Sequence, residues 1–205
     1  MELGYVKVDS GTLFAAMSPP AALDLAAAQN YVPVYGRFFE LTTANSRNLT
    51  LNHPLRLVKF GARETRNRFK VTVSNNQGRT RPATAFFKFC PVLDPLRYAT
   101  GKYGVGTEAL LALPEVEHDN APAKTRDPNN SAYVDGFFSY LSAGLLHHHG
   151  MLHAIDSYGC FMARKKGFLV DVCDDLEHLA ASDFFAQHEG GLFDFDEAAR
   201  SKFSR

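Results

Sequence analysis

Lys88 stands inside an apolar run, Ala85-Phe-Phe-Lys-Phe-Cys90, that ends at Pro91. An ammonium among phenylalanines needs water or an anion, because burial without a partner is costly or strips its charge. On an extended segment Lys88 shares a face with Phe86 and Cys90, while Phe87 and Phe89 take the other. Two readings of Lys88 follow. One is a cation that anchors a nucleotide phosphate; the other is an edge-strand lysine that wards off strand pairing.

Other side chains suggest chemistry less strongly. His147, His148, His149 and His153, with Cys160 and Cys173, invite a metal reading. No Cys-x-x-Cys or His-Glu-x-x-His is present, and Gly150 interrupts the spacing from His149 to His153. Histidines completing a helix end are the simpler account. A Cys-His nucleophile would need Cys90 or Cys160, both in apolar surroundings where inert thiols are usual. Arg56, Lys59, Arg63, Arg66, Arg68, Lys70, Arg79 and Arg81 gather in one stretch. Solvated strand faces and turns explain them most simply; a weak surface for anions or nucleic acid is the lesser reading.

Composition sets the frame. The 205 residues contain 22 basic and 22 acidic side chains, so global charge does not point to nucleic acid, and none is expected as a partner. With 45% hydrophobic residues the chain can bury a sizeable core. Three widely spaced cysteines make no disulfide framework; Cys160 and Cys173 facing each other on paired strands is the less favoured alternative to reduced thiols. The first residues lack a signal-peptide pattern and no apolar run reaches the ~20 residues of a membrane span. The expectation is a reducing, intracellular setting without a membrane.

The elements that must position these residues are unevenly legible. Ala21 to Gln29 reads as a short helix after Pro19-Pro20, and Tyr31 to Leu41 as an aromatic, β-prone stretch. Residues 1–52 are expected to form an arm. Arg68 to Val73 alternates clearly, with Phe69, Val71 and Val73 on one face. Leu55 to Phe60 and Ala85 to Cys90 complete a three-stranded antiparallel meander, with a turn at Ser74 to Gly78. Leu93 to Tyr98 suggests a helical turn, and Gly101, Gly104 and Gly106 break the chain after it. The polar 115–128 stretch is expected to be an exposed loop.

Asn130 to His149 has the firmest helical pattern, capped by Asn130 or Ser131 and stopped by Gly150. Val134, Phe137, Phe138, Leu141, Leu145 and Leu146 are its expected core face. Two strands joined through Arg164 to Gly167 should follow, the second being Phe168 to Cys173. A helix capped by Asp174 or Asp175 should then run to about His188, with Leu176 and Leu179 inward.

The order strand, strand, lysine-bearing strand, helix, strand, strand matches a protein-kinase small lobe. The residues take the likeness further. Phe86-Phe-Lys-Phe-Cys-Pro-Val-Leu-Asp-Pro95, Thr100-Gly-Lys-Tyr103 and Asn129-Asn-Ser-Ala-Tyr-Val-Asp-Gly-Phe-Phe-Ser-Tyr-Leu-Ser142 resemble protein-kinase-like proteins of large nucleocytoplasmic DNA viruses. Leu145-Leu-His-His-His-Gly150, Ile155-Asp-Ser-Tyr-Gly-Cys-Phe161 and Asp174-Asp-Leu-Glu-His-Leu179 continue the likeness. It covers residues 86–195, about half the chain.

The resemblance implies an α+β fold: a kinase small-lobe-like antiparallel sheet with one main packed helix, an N-terminal arm (1–52) and a short C-terminal helix. The lobe would be 53–188, with 189–205 a tail or linker. Lys88 would hold the ATP phosphates. Asp135, the one carboxylate between Asn130 and Gly150, would pair with it in place of the usual Glu. Its simpler role is a first-turn acid that favours the helix dipole. Gly78, in the Ser74 to Thr80 turn, would stand for the phosphate-covering loop, although a single glycine replaces Gly-x-Gly-x-x-Gly.

Neither His-x-Asp-x-x-x-x-Asn nor Asp-Phe-Gly is present; Asp194-Phe195-Asp196 has no glycine. The chain alone is expected not to catalyse, and ATP with magnesium is expected only if a further lobe accompanies it. The resemblance therefore implies the N-terminal part of a viral serine/threonine kinase. The alternative is a non-catalytic scaffold or virion component, binding another protein through the aromatic arm and the 115–128 loop. The host cytoplasm or the virion is the implied location.

Overall fold

The computed structural model describes residues 2–104, 107–117 and 120–194. Gly106, positions 118–119 of the expected loop, Phe195-Asp196 and the rest of the tail lie outside these residues. The strands are β1 (Tyr5–Lys7), β2 (Leu25–Gln29), β3 (Leu49–Leu51), β4 (Leu55–Arg63), β5 (Arg68–Asn75), β6 (Thr80–Phe86) and β7 (Met162–Lys165). The helices are α1 (Gly11–Met17), α2 (Pro95–Ala99), α3 (Thr107–Leu110), α4 (Ala123–Arg126), α5 (Ser131–His149), α6 (Leu176–Ala180) and α7 (Asp183–His188). The fold is mixed α+β with small antiparallel sheets.

Two compact units make up the chain: residues 1–92 with 111–167, and residues 93–110 with 168–205. These units are drawn differently from the expected segments 1–52, 53–188 and 189–205. Residues 1–52 belong to the first unit: β1 pairs with β3 inside the segment, and β2 pairs with β7 outside it.

Strand β5 is the centre of the meander β4-β5-β6. Its alternation sends Phe69, Val71 and Val73 inward, against Met17, Leu23 and Leu25. Pro82 lies within β6, opposite Thr72; it is tolerated there because β6 is an edge strand, with no neighbour on its far side among the described residues. The ladder ends at Phe86, opposite Arg68, so Lys88 lies beyond the paired strand. Its partner β5 begins only at Arg68, and one more bond, from the Phe87 amide to the Asn67 carbonyl, closes the hairpin end. The two-fold alternation nevertheless continues: Phe87 and Phe89 pack on the core, while Phe86 and Lys88 face solvent.

Several expectations are corrected. Ala21 to Gln29 contains strand β2, not a helix, because pairing with β7 overrides an alanine-rich helical preference. That strand carries Ala27 at φ 52°, with a register shift between Ala26 and Gln29. Tyr31 to Leu41 contains a 3-10 turn over Pro33–Arg37, started by a proline whose fixed φ suits a helical first turn. The 115–128 stretch includes α4 and buries Ala121 and Thr125, so it is not simply an exposed loop. Phe168 to Cys173 forms no strand, and Phe168, Leu169 and Val170 are exposed. The helix expected to run to His188 breaks at Ala181-Ser182 into α6 and α7; Leu179 is buried, while neither Asp174 nor Asp175 caps α6 through its side chain.

Helix α5 spans Ser131–His149 as its pattern predicts. The Asn130 side chain accepts from the Ala132 amide, and Gly150 closes the end at φ 65°. The expected face is buried only in part: Phe137 and Leu141 pack against the core. Tyr133, Tyr140, Ala143 and Gly144 point inward, whereas Val134, Phe138 and Leu145 are exposed. Small residues and two tyrosines allow close approach to the 3-10 turn and to Leu49 and Leu51 of β3, which share this core.

Candidate functional site

Lys88 and Asp135 meet. The Lys88 ammonium donates to both oxygens of Asp135, at 2.8 and 2.9 Å. The two residues are 47 apart in sequence, so the contact ties the end of the meander to the second turn of α5. Cys90 completes the group: its thiol donates to Asp135 Oδ2 at 3.3 Å. The ion pair is solvent-facing, with 61% of the Lys88 side chain and 40% of the Asp135 side chain exposed.

Electrostatics follow from these bonds. The hydrogen bond to Asp135 holds the Lys88 pKa above its ordinary value, and the hydrogen bond from Lys88 holds the Asp135 carboxyl below its own. Burial, then the neighbouring carboxylate, pushes the Cys90 thiol up. Cys160 is pushed up to about 11, mainly by burial and then by Cys90 and Asp135. Both thiols are therefore protonated at neutral pH and are poor nucleophiles. A lysine ammonium has three donors, and Asp135 takes two. The third remains available to an anion such as a phosphate oxygen.

Packing behind the pair sets the position of Asp135. Gly136 follows it on α5, and a Cβ there would stand 2.8 Å from the Cys160 sulfur. Glycine thus lets the segment before β7 lie directly against the helix. The sequence offers only a Gly and a Cys 24 positions apart, with nothing to mark them as neighbours.

Gly78 is not part of this group. It sits at φ 76° in the β5–β6 turn, where Asn75 Oδ1 accepts from the amides of Gln77 and Arg79. Lys88 follows the other end of β6, and a strand of seven residues runs roughly 20 Å. The turn on the lysine side is Glu64 to Asn67, between β4 and β5, closed by the Glu64 and Thr65 amides donating to the Arg68 carbonyl. It contains no glycine. Residue type alone points to Gly78; the antiparallel path of the chain decides which turn lies beside the lysine.

Phe86 has no role assigned by the sequence pattern. It is 65% exposed, on the lysine side of the chain and opposite Arg68. The signal was its position two residues before Lys88 on an alternating segment.

The ammonium and the exposed aromatic ring suit the phosphate and base of a nucleotide. Magnesium is served less well: Asp135 is engaged, and among the described residues no group of three or more His, Cys, Asp or Glu stands close enough to hold a metal. The histidines disperse: His147 faces Asp156 at 2.9 Å, and His148, His149 and His153 are exposed. All three cysteines are free thiols. Among the described residues no helix is long and apolar enough to cross a membrane. Comparison of the chain with family models, with curated proteins and with solved structures finds no match.

Proposed function

We propose that this chain is the N-terminal, ATP-binding-lobe-like part of a viral serine/threonine protein kinase, and that it does not catalyse alone. The Lys88–Asp135 contact at 2.8 Å carries the reading. A phosphate-anchoring lysine must be held by an acid on the following helix so that its charge and direction are set before the nucleotide arrives. Supporting it are the antiparallel meander that leads into Lys88, the helix that follows, and the exposed Phe86 ring beside the ammonium. In this reading the Glu64 to Asn67 turn, not Gly78, covers the phosphates. Magnesium and the catalytic aspartates would come from a further lobe.

The test is titration calorimetry of Mg-ATP into the full chain, Lys88→Ala and Asp135→Asn. The expectation is weak binding, with a Kd on the order of millimolar, lost in Lys88→Ala. Tight binding that Lys88→Ala leaves unchanged refutes the role of Lys88.

One observation favours a second reading, a non-catalytic scaffold or virion protein with a kinase-like fold. Val134, Phe138 and Leu145 form an exposed apolar stripe on α5, and Leu152 beyond it is 84% exposed. Such a face suits a protein partner. It replaces the arm and the 115–128 loop as the binding surface of that reading. The reading frame beyond Arg205 separates the two: a downstream His-x-Asp-x-x-x-x-Asn supports the kinase, and a stop codon supports the scaffold.

A further inference from the structure

The charge balance of the whole chain hides a strong local asymmetry. Between residues 53 and 90 there are nine Lys or Arg and one acid, Glu64. Strand register decides where they go. Arg63 and Arg81 stand opposite Phe69 and Val73, on the core side, while other basic side chains take the opposite face. Arg68 lies opposite Phe86, Lys70 opposite Thr84, and Lys59 opposite Thr72, with Lys88 just past the end of β6. Lys59, Arg68, Lys70, Phe86 and Lys88 are all exposed, so among the described residues nothing covers them. Glu64 pairs with Lys70 at 2.5 Å, which leaves the net charge of the face positive.

Phe86 makes the face more than a basic patch. A solvated strand face has no use for a ring that is 65% exposed, and this one stands between Arg68 and Lys88. Cations that follow a phosphate backbone, interleaved with an aromatic platform for a base, are the elements by which open sheet faces hold single strands. A duplex fits less well: its bases are stacked already, and this sheet face offers no helix to enter a groove. The seven residues of β6 run roughly 20 Å, which accommodates several nucleotides of an extended strand.

We propose that the open face of β4-β5-β6 binds single-stranded nucleic acid, with Lys59, Arg68 and Lys88 on phosphates and Phe86 stacking on a base. The proposal stands independently of the kinase-like reading, although both use Lys88 and Phe86. Lys59 and Arg68 belong to this inference alone.

Fluorescence anisotropy of labelled oligo(dT) and oligo(U) against the full chain, at about 50 mM salt, tests it. Saturable binding is expected. Phe86→Ala should weaken it by roughly 5- to 100-fold, the effect of losing one stacked base, while Phe86→Tyr retains it. Lys59→Glu with Arg68→Glu should abolish most binding and lower the salt slope by about 0.7 per lost phosphate contact. Lys7→Glu with Lys124→Glu, away from the sheet, should change nothing. These are surface substitutions, and circular dichroism verifies that each variant is folded. Three outcomes overturn the inference: no saturation at about 100 µM protein, equal affinity in folded Phe86→Ala, or polyglutamate bound as tightly as the oligonucleotides. Loss of oligonucleotide binding in the Lys59/Arg68 variant with Mg-ATP binding retained separates this inference from the nucleotide reading.

Discussion

Replacing Gly136 by alanine should reveal how Asp135 is held. In a helix interior this change favours the helix by about 1 kcal/mol, because glycine has more backbone freedom to lose. Here the new methyl would stand 2.8 Å from Cys160 Sγ, closer than a carbon and a sulfur tolerate. Helix α5 or the Cys160 segment must shift, and overpacking of this kind costs roughly 1–3 kcal/mol. The net effect is a loss of roughly 0–2 kcal/mol. In a Cys160→Ala background the nearest Cys160 atom is the Cβ at 3.7 Å, an ordinary contact. There the same substitution should stabilise by up to about 1 kcal/mol. Urea denaturation of the four proteins, followed by circular dichroism, gives the coupling, expected at roughly 1–3 kcal/mol. If Gly136→Ala stabilises the parent and the Cys160→Ala protein equally, the close approach is absent and the account of Asp135 placement fails.

Three further outcomes follow from the structure. His53 is wholly buried, its Nδ1 3.1 Å from the Ser157 carbonyl oxygen, and burial lowers its pKa from 6.5 to about 4. The unfolded chain takes up this proton before the folded one, so stability should fall by about 3 kcal/mol as pH drops from 6.5 to 4; urea midpoints across that window check it, and His53→Gln should flatten the slope. The Lys88–Asp135 pair is exposed, so a double-mutant cycle of Lys88→Ala and Asp135→Asn should give only about 0.2–1 kcal/mol. Because Asp135 is lowered and Lys88 raised, that coupling should be lost as pH falls through the carboxyl's depressed pKa and again as it rises through the ammonium's raised one; a larger coupling contradicts solvent screening of the pair, and one constant across those limits contradicts the pairing. Asn130→Ala should cost roughly 2–4 kcal/mol, since this buried amide donates to the Val92 and Lys124 carbonyls and accepts from Ala132; thermal melting measures it, and a loss below about 0.5 kcal/mol refutes that role.

Local chemistry was legible wherever one period or one terminus decided the outcome. The alternation of Arg68 to Val73 specified β5 and its buried face, because a strand with one covered side admits a single register. Asn130 and Gly150 specified both ends of α5, because capping depends on residues a few positions apart. A lysine on an alternating apolar segment and one carboxylate on the helix suggested a pair. That the two meet, and that the pair stays in water, are facts of tertiary structure. So are the conversion of an alanine-rich stretch into β2, the choice of turn beside Lys88, and the burial of Tyr133 and Tyr140 in place of Val134 and Phe138. In each case the deciding partner is distant in sequence: β7 for β2, the meander for the turn, the 3-10 turn and β3 for the tyrosines. Spacing along the chain records which side chains share a face, but which face is covered depends on the element that packs against it.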